Sequence, residues 1–139
     1  QIISMTENWD FTKYHQVMWR GFNHGSDVPM TEEDIQFRKT MLSSPHLVPE
    51  LTVAVVAPNG EYVAHCGLWH YPNDRYAYVE PVATDPDYRK LGLAKAAIYE
   101  AVLRAKKAGA TEAYVVSSQQ FYYNIGFFPH VTETWWESY

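Results

Sequence analysis

The chain has 139 residues, 47% of them apolar, and a formal charge of −5 from 11 Lys+Arg against 16 Asp+Glu. That length holds one compact core and not two substantial ones. The apolar share excludes a disordered chain, and the acidic balance excludes a general phosphate-backbone binder, so any anion site has to be local.

A short apolar start (Ile2, Ile3, Met5) predicts a first strand. Behind Asp10, residues Phe11, Tyr14, Met18 and Phe22 recur at helical spacing, and the pattern stops before Gly25. Thr31-Glu32-Glu33-Asp34 reads as the capping box of a second helix that runs to Ser43-Ser44-Pro45. Leu51, Val53, Val55 and Ala57 share one face of a strand, and Pro58-Asn59-Gly60 turns it into a second strand over 62–69, a hairpin. Residues 76–84 form a further strand, whose Pro81 cannot donate to a ladder and so marks a bulge or an open edge. Leu91, Ala94, Ala97, Ile98, Ala101, Val102 and Ala105 make the longest amphipathic stripe, closed by Gly109. A strand over 112–117, a short helix over 119–125 and an aromatic-rich strand over 127–136 complete the chain. The order β-α-α-β-β-β-α-β-α-β joins a hairpin to a strand-helix-strand crossover. It predicts an α/β (α+β) fold with a mixed, mostly antiparallel sheet and helices on both faces.

A single cysteine, Cys66, excludes an internal disulfide framework and a multi-thiolate zinc site. No apolar run approaches the ~20 residues of a membrane span, and no basic-then-apolar leader opens the chain. The expectation is a cytoplasmic protein that engages neither membrane nor nucleic acid. Gln1 in place of Met makes it a processed chain or a piece of a longer one.

The passage Ala83-Thr84-Asp85-Pro86-Asp87-Tyr88-Arg89-Lys90-Leu91-Gly92-Leu93-Ala94 leaves a strand, turns and opens the longest helix. Amides at a helix start lack intrahelical partners and sit at the positive end of the dipole. Gly92 and Ala94 let a phosphate approach the main chain, and Arg89, Lys90 and Lys95 add charge. A turn glycine before a solvated helix start is the alternative for Gly92 taken alone.

Arg89-x-x-Gly92-x-Ala94 resembles the acyl-CoA pyrophosphate loop of the GNAT superfamily of N-acyltransferases, whose pattern is Gln/Arg-x-x-Gly-x-Gly/Ala. Phe121-Tyr122-Tyr123-Asn124-Ile125-Gly126-Phe127 resembles a second signature of the same superfamily, at the expected distance downstream. Residues 80–86, with Trp135 and Trp136, are similar to the C-terminal half of tandem members such as mycothiol synthases, which adds a second GNAT domain, or a homodimer, to the expected partners. The resemblance implies a single GNAT domain over 1–139 that transfers acetyl from acetyl-CoA to the primary amine of a small molecule or peptide, with no metal. It implies coenzyme contacts at Val82, Ala83, Thr84, Arg89, Lys90, Leu91, Gly92, Leu93, Ala94, Lys95 and Tyr122. It further implies that the Val82 amide polarises the thioester carbonyl and that Tyr122 is the general acid at the leaving sulfur. A CoA-binding domain without activity is the alternative.

An alkylammonium needs a base before it can attack. Glu80 is the candidate, on a strand face that regular alternation shares among Tyr78, Val82 and Thr84; His65, His70 and His24 are the rivals. His65 and His70 are expected on opposite sides of one strand, so they would not chelate one metal. Cys66 is expected as a small buried residue rather than an acyl carrier.

Overall fold

The protein is described from a computed structural model, over residues 1–71, 73–117 and 119–129. Strands β1 (Ile2–Ser4), β2 (Val53–Val56), β3 (Tyr62–His70), β4 (Tyr76–Thr84) and β5 (Glu112–Tyr114) form one sheet in that spatial order. Neighbours are antiparallel except β4 and β5, which are parallel. The helices are α1 (Phe11–Gly21), α2 (Glu32–Met41), α3 (Leu93–Lys107) and α4 (Gln120–Asn124), and none is long and apolar enough to cross a membrane.

Local chemistry sets the helix starts. The Asp10 carboxylate accepts from the amides of Thr12 and Lys13 at 2.9 and 3.1 Å. Thr31 and Asp34 close the capping box, side chain to amide in both directions at 3.2 and 3.0 Å. Alternation along β2 then divides the core. Val53 and Val55 join Ala97, Ile98, Ala101 and Ala105 of α3, whereas Ala54 joins Tyr14, Val17 and Met18 of α1. The sheet is therefore covered by α3 on one face and by α1 on the other.

Several expectations are corrected. Leu51 ends a 3-10 turn (Pro49–Leu51) rather than opening a strand, although it packs in the α3-side core with Val53 and Val55. Leu91 is 64% exposed and lies before α3, outside its buried stripe. The strand expected over 112–117 stops at Tyr114, and Phe127 to Pro129 form no strand; the remainder of the strand expected over 127–136 lies outside the described residues.

Pro81 does mark a bulge. Cys66 pairs with Val82 and Leu68 with Val79, so Gly67 alone stands opposite both Glu80 and Pro81. A Cβ on Gly67 would sit 2.6 Å from the Glu80 carbonyl oxygen and 3.1 Å from Pro81 Cδ, so this close approach requires glycine. The extra residue reverses the faces. Ala77 and Val79 pack toward α3 before the bulge; beyond it Val82 packs toward α3 and Ala83 toward α1. Glu80 thus shares a face with Tyr78 but not with Val82 and Thr84, which corrects the regular alternation expected from the sequence.

Candidate functional site

Two devices hold the loop between β4 and α3. Asp85 is buried, and its carboxylate accepts from the Asp87 amide at 2.9 Å at the start of a 3-10 turn (Pro86–Tyr88). Arg20, near the end of α1, grips Asp85 through Nε at 2.6 Å and Nη2 at 3.0 Å, and reaches Asp87 at 2.8 Å. Arg89 Nη2 donates to the Gly21 carbonyl at 3.1 Å and to Asn23 Oδ1 at 2.8 Å. Arg89 was expected to lend its charge to a phosphate; its guanidinium instead caps the negative end of α1.

The Arg20 hydrogen bond, ahead of the opposing effect of burial, holds the Asp85 carboxyl below its usual 3.8. A lowered folded-state value stabilises the protein above the unfolded value, and that contribution is lost as pH falls through the folded one. Thermal melts should therefore show stability declining below about pH 4, and Asp85→Asn should cost about 1–3 kcal/mol at pH 7 while weakening this pH dependence.

With the loop anchored, the mouth of α3 is open. Gly92 is the N-cap residue at φ 76° and ψ 13°, with no side-chain cap and nothing within 4 Å of where a Cβ would be. The first amide with an acceptor is that of Ala96, bonded to the Gly92 carbonyl at 3.0 Å. Among the described residues, the amides of 90–95 have no acceptor. Lys90, itself at φ 63°, and Lys95 are exposed beside them. This is an electropositive cradle of main-chain N–H groups, suited to a phosphate or pyrophosphate.

The cradle leads to a gap in the sheet. Pairing of β4 with β5 ends at Tyr78 and Tyr114, and the stretch of β4 that carries Val82, Ala83 and Thr84 has no strand on that edge among the described residues. Tyr122 approaches from the α3 side. It is half-buried between Phe121 and Phe127, ring centroids 5.1 and 5.8 Å away, and packs on the α3-side core. Tyr99 Oη donates to the Ile125 carbonyl at 2.6 Å and fastens α4 to α3. Burial, and then the nearby Cys66, push the Tyr122 phenol up, so it keeps its proton at neutral pH. Tyr123 is 37% exposed.

Glu80 is exposed on the opposite face from Tyr122, and among the described residues its carboxylate has no hydrogen-bond or ion-pair partner. The histidines are less suited to act as a base. His65 is fully buried beneath Tyr14 and pushed down to about 3 by that burial, His70 hydrogen-bonds the Asp74 carbonyl at 2.8 Å, and His24 stacks on Trp19 at 4.9 Å. His65 and His70 do face opposite sides, paired with Ala83 and Ala77. Cys66 is buried, its thiol pushed up to about 12, which withholds the thiolate an acyl carrier needs. Among the described residues no His, Cys, Asp and Glu cluster could hold a metal. A hollow of about 660 Å³ lies at the far end of α3 around Lys106 and Glu112 and is lined by none of these residues.

Sequence reasoning missed Arg20 and Gly67. Asp85 before Pro86 was legible as a cap, but nothing local identifies a guanidinium 65 residues away as its partner.

The sheet with its gap, and a bared helix mouth behind a β4-to-α3 loop, define an acyltransferase-type fold. The model of the acetyltransferase (GNAT) family matches residues 10–127, and the chain belongs to that family. No curated protein matches it in sequence. Solved structures share the fold. A putative acetyltransferase from Agrobacterium tumefaciens is similar at TM-score 0.75 and 20% identity, over 99% of both chains. AAC(6')-Iy in complex with the bisubstrate analog CoA-S-monomethyl-acetylneamine gives 0.71 and 16%, over 100% of this chain and 97% of that one. A GNAT family acetyltransferase from Brucella melitensis in complex with acetyl-CoA gives 0.70 and 16%, over 93% and 82%.

Proposed function

We propose that the chain is an acetyl-CoA-dependent N-acetyltransferase that passes the acetyl group directly to a primary amine. The observation that carries this reading is the run of amides at 90–95 without acceptors, open to solvent and next to the gap between β4 and β5. These residues fit a coenzyme whose pyrophosphate needs N–H donors and whose extended arm needs a free strand edge. The solved relatives that carry acetyl-CoA or a CoA conjugate support the same choice.

The coenzyme, when bound, supplies the acetyl group as a thioester. The amides of residues 90–95 hold its diphosphate, and the free edge of β4 at Val82, Ala83 and Thr84 receives the arm. The Val82 amide polarises the acyl oxygen. Glu80 takes one proton of the incoming ammonium and returns it to solvent, the nitrogen lone pair forms the new C–N bond as the C–S bond breaks toward sulfur, and the nitrogen then releases its second proton to solvent to leave the neutral amide. Tyr122, on the other face, donates a hydrogen bond to the departing thiolate. Its phenol, raised above 10, is a weaker acid than a free thiol near 8.5, so the thiolate takes its proton finally from solvent.

Tyr122 and Glu80 on opposite faces of one gap keep the leaving group and the acceptor apart. Likeness to mycothiol synthase-like proteins rests on the sequence of residues 80–86 with Trp135 and Trp136, and the two tryptophans lie outside the described residues.

Thiol release from acetyl-CoA, followed over a panel of primary amines, tests the reading. Amine-dependent release is expected, and Glu80→Gln should lower it about a hundredfold with CoA affinity retained. Tight CoA binding with no release for any amine would identify a binding domain instead.

A further inference from the structure

The loop that leads into the cradle carries acid. Asp85 and Asp87 precede Lys90, where the bared amides begin, and neighbouring Cα atoms along the chain are about 3.8 Å apart, so the Cα of Asp87 stands within about 11 Å of that of Lys90. That is close to the Debye length of about 10 Å at 0.1 M salt. Two carboxylates at this range oppose the approach of a diphosphate. Asp85 has a structural task, since its side chain caps the 3-10 turn at the Asp87 amide, so its charge has to be offset where it stands.

One guanidinium meets both acids. Arg20 Nε and Nη2 donate to Asp85, and Nη2 donates to Asp87 as well. Among the described residues, neither carboxylate has another ion pair. Gly21 permits this reach: a Cβ there would stand 2.8 Å from Ala83 Cβ and 3.1 Å from the Thr84 nitrogen, so glycine lets the end of α1 press onto β4. Arg89 is committed elsewhere, to the Gly21 carbonyl and Asn23. The Asp85 side chain is 8% exposed and that of Asp87 77%. A pair with so exposed a carboxylate adds little to stability, so Asp85 alone suffices to anchor the loop. The contact to Asp87 changes charge more than it changes structure.

We propose that Arg20 sets the affinity for the coenzyme by charge and without touching it: the guanidinium neutralises Asp85 and Asp87, and so makes the loop between β4 and α3 compatible with a diphosphate. This deepens the transfer reading above and rests on its coenzyme site. Arg20 is a positioning residue in the electrostatic sense, since it acts on the ligand through the two carboxylates.

Calorimetric titration with CoA, at about 0.1 M and about 1 M salt, tests it. Arg20→Gln should weaken binding about tenfold at the lower salt and about twofold or less at the higher, where the Debye length is about 3 Å; Arg20→Lys, which keeps the charge, should stay within about threefold of wild type. Asp87→Asn separates charge from mechanics, because it removes a contact of Arg20 and a negative charge together. Charge compensation predicts binding about twofold tighter than wild type at the lower salt, whereas a mechanical clasp predicts weaker binding. Arg20→Gln/Asp87→Asn should return to within about threefold of wild type. Asp87→Asn alters one exposed side chain, so the sign of its effect decides even where Arg20→Gln fails to fold. Equal or weaker binding by Asp87→Asn, or a loss in Arg20→Gln that salt leaves unchanged, would overturn the proposal. If wild type and variants follow the predicted pattern but no amine releases thiol from acetyl-CoA, the transfer reading fails and the role of Arg20 stands; wild type that does not bind CoA removes both.

Discussion

Gly92→Asp is expected to abolish CoA binding and leave the protein folded. Aspartate is a favoured N-cap residue, and from position 92 its carboxylate would accept from the amides of Ala94 and Lys95. The left-handed φ of 76° costs a non-glycine residue about 1–2 kcal/mol, and the new cap returns about 1 kcal/mol. Nothing lies within 4 Å of the added Cβ, so the stability change stays small. Binding changes far more. The carboxylate occupies the donors that a pyrophosphate would use and sets like charge against it. Two charge-assisted hydrogen bonds lost at about 1.5 kcal/mol each already amount to more than a hundredfold in affinity. Calorimetric titration with CoA measures this directly. Gly92→Asn, which caps without the charge, should fall between wild type and aspartate, and normal affinity in Gly92→Asp would contradict the cradle.

Tyr122→Phe is expected to lower kcat about a hundredfold with KM for acetyl-CoA within about twofold. The ring contacts with Phe121 and Phe127 survive the substitution, so only the hydroxyl is removed. Loss of one preorganised donor to developing charge commonly costs 10²–10³ in turnover. Because burial raises the Tyr122 phenol above 10, a fall in rate from its ionisation should be confined to still higher pH. Tyr123→Phe is the control, since Tyr123 stands exposed on the same helix. An unchanged steady-state rate for Tyr122→Phe would remove this residue from the chemistry.

Much of this site could be read before the structure because its signals are local. Asp10 and Thr31 cap helices through contacts two or three residues away. The loop 83–94 carries its own glycine and its own run of amides, although Arg20, Gly21 and Asn23 hold it in place from a distance in sequence. Pro81 announced the bulge, since a residue without an N–H cannot complete a ladder. It did not announce the change of faces, because that depends on Gly67 standing alone opposite Glu80 and Pro81. Arg89 shows the same limit. Its charge and position suggested a phosphate, but its partners, Gly21 and Asn23, come from the far end of α1. Val115 and Val116 have the β-branched character of a strand, yet β5 ends before them and Val116 is 90% exposed. Propensity yields there because β4 and β5 part after Tyr78 and Tyr114.

A crystal of the protein grown with acetyl-CoA would bear most directly on the central claim that the bared amides before and within the first turn of α3 are a diphosphate site. Both phosphates should lie about 3 Å from amide nitrogens of residues 90–95, with the arm entering between β4 and β5. A coenzyme bound elsewhere, with those amides facing only water, would contradict the account.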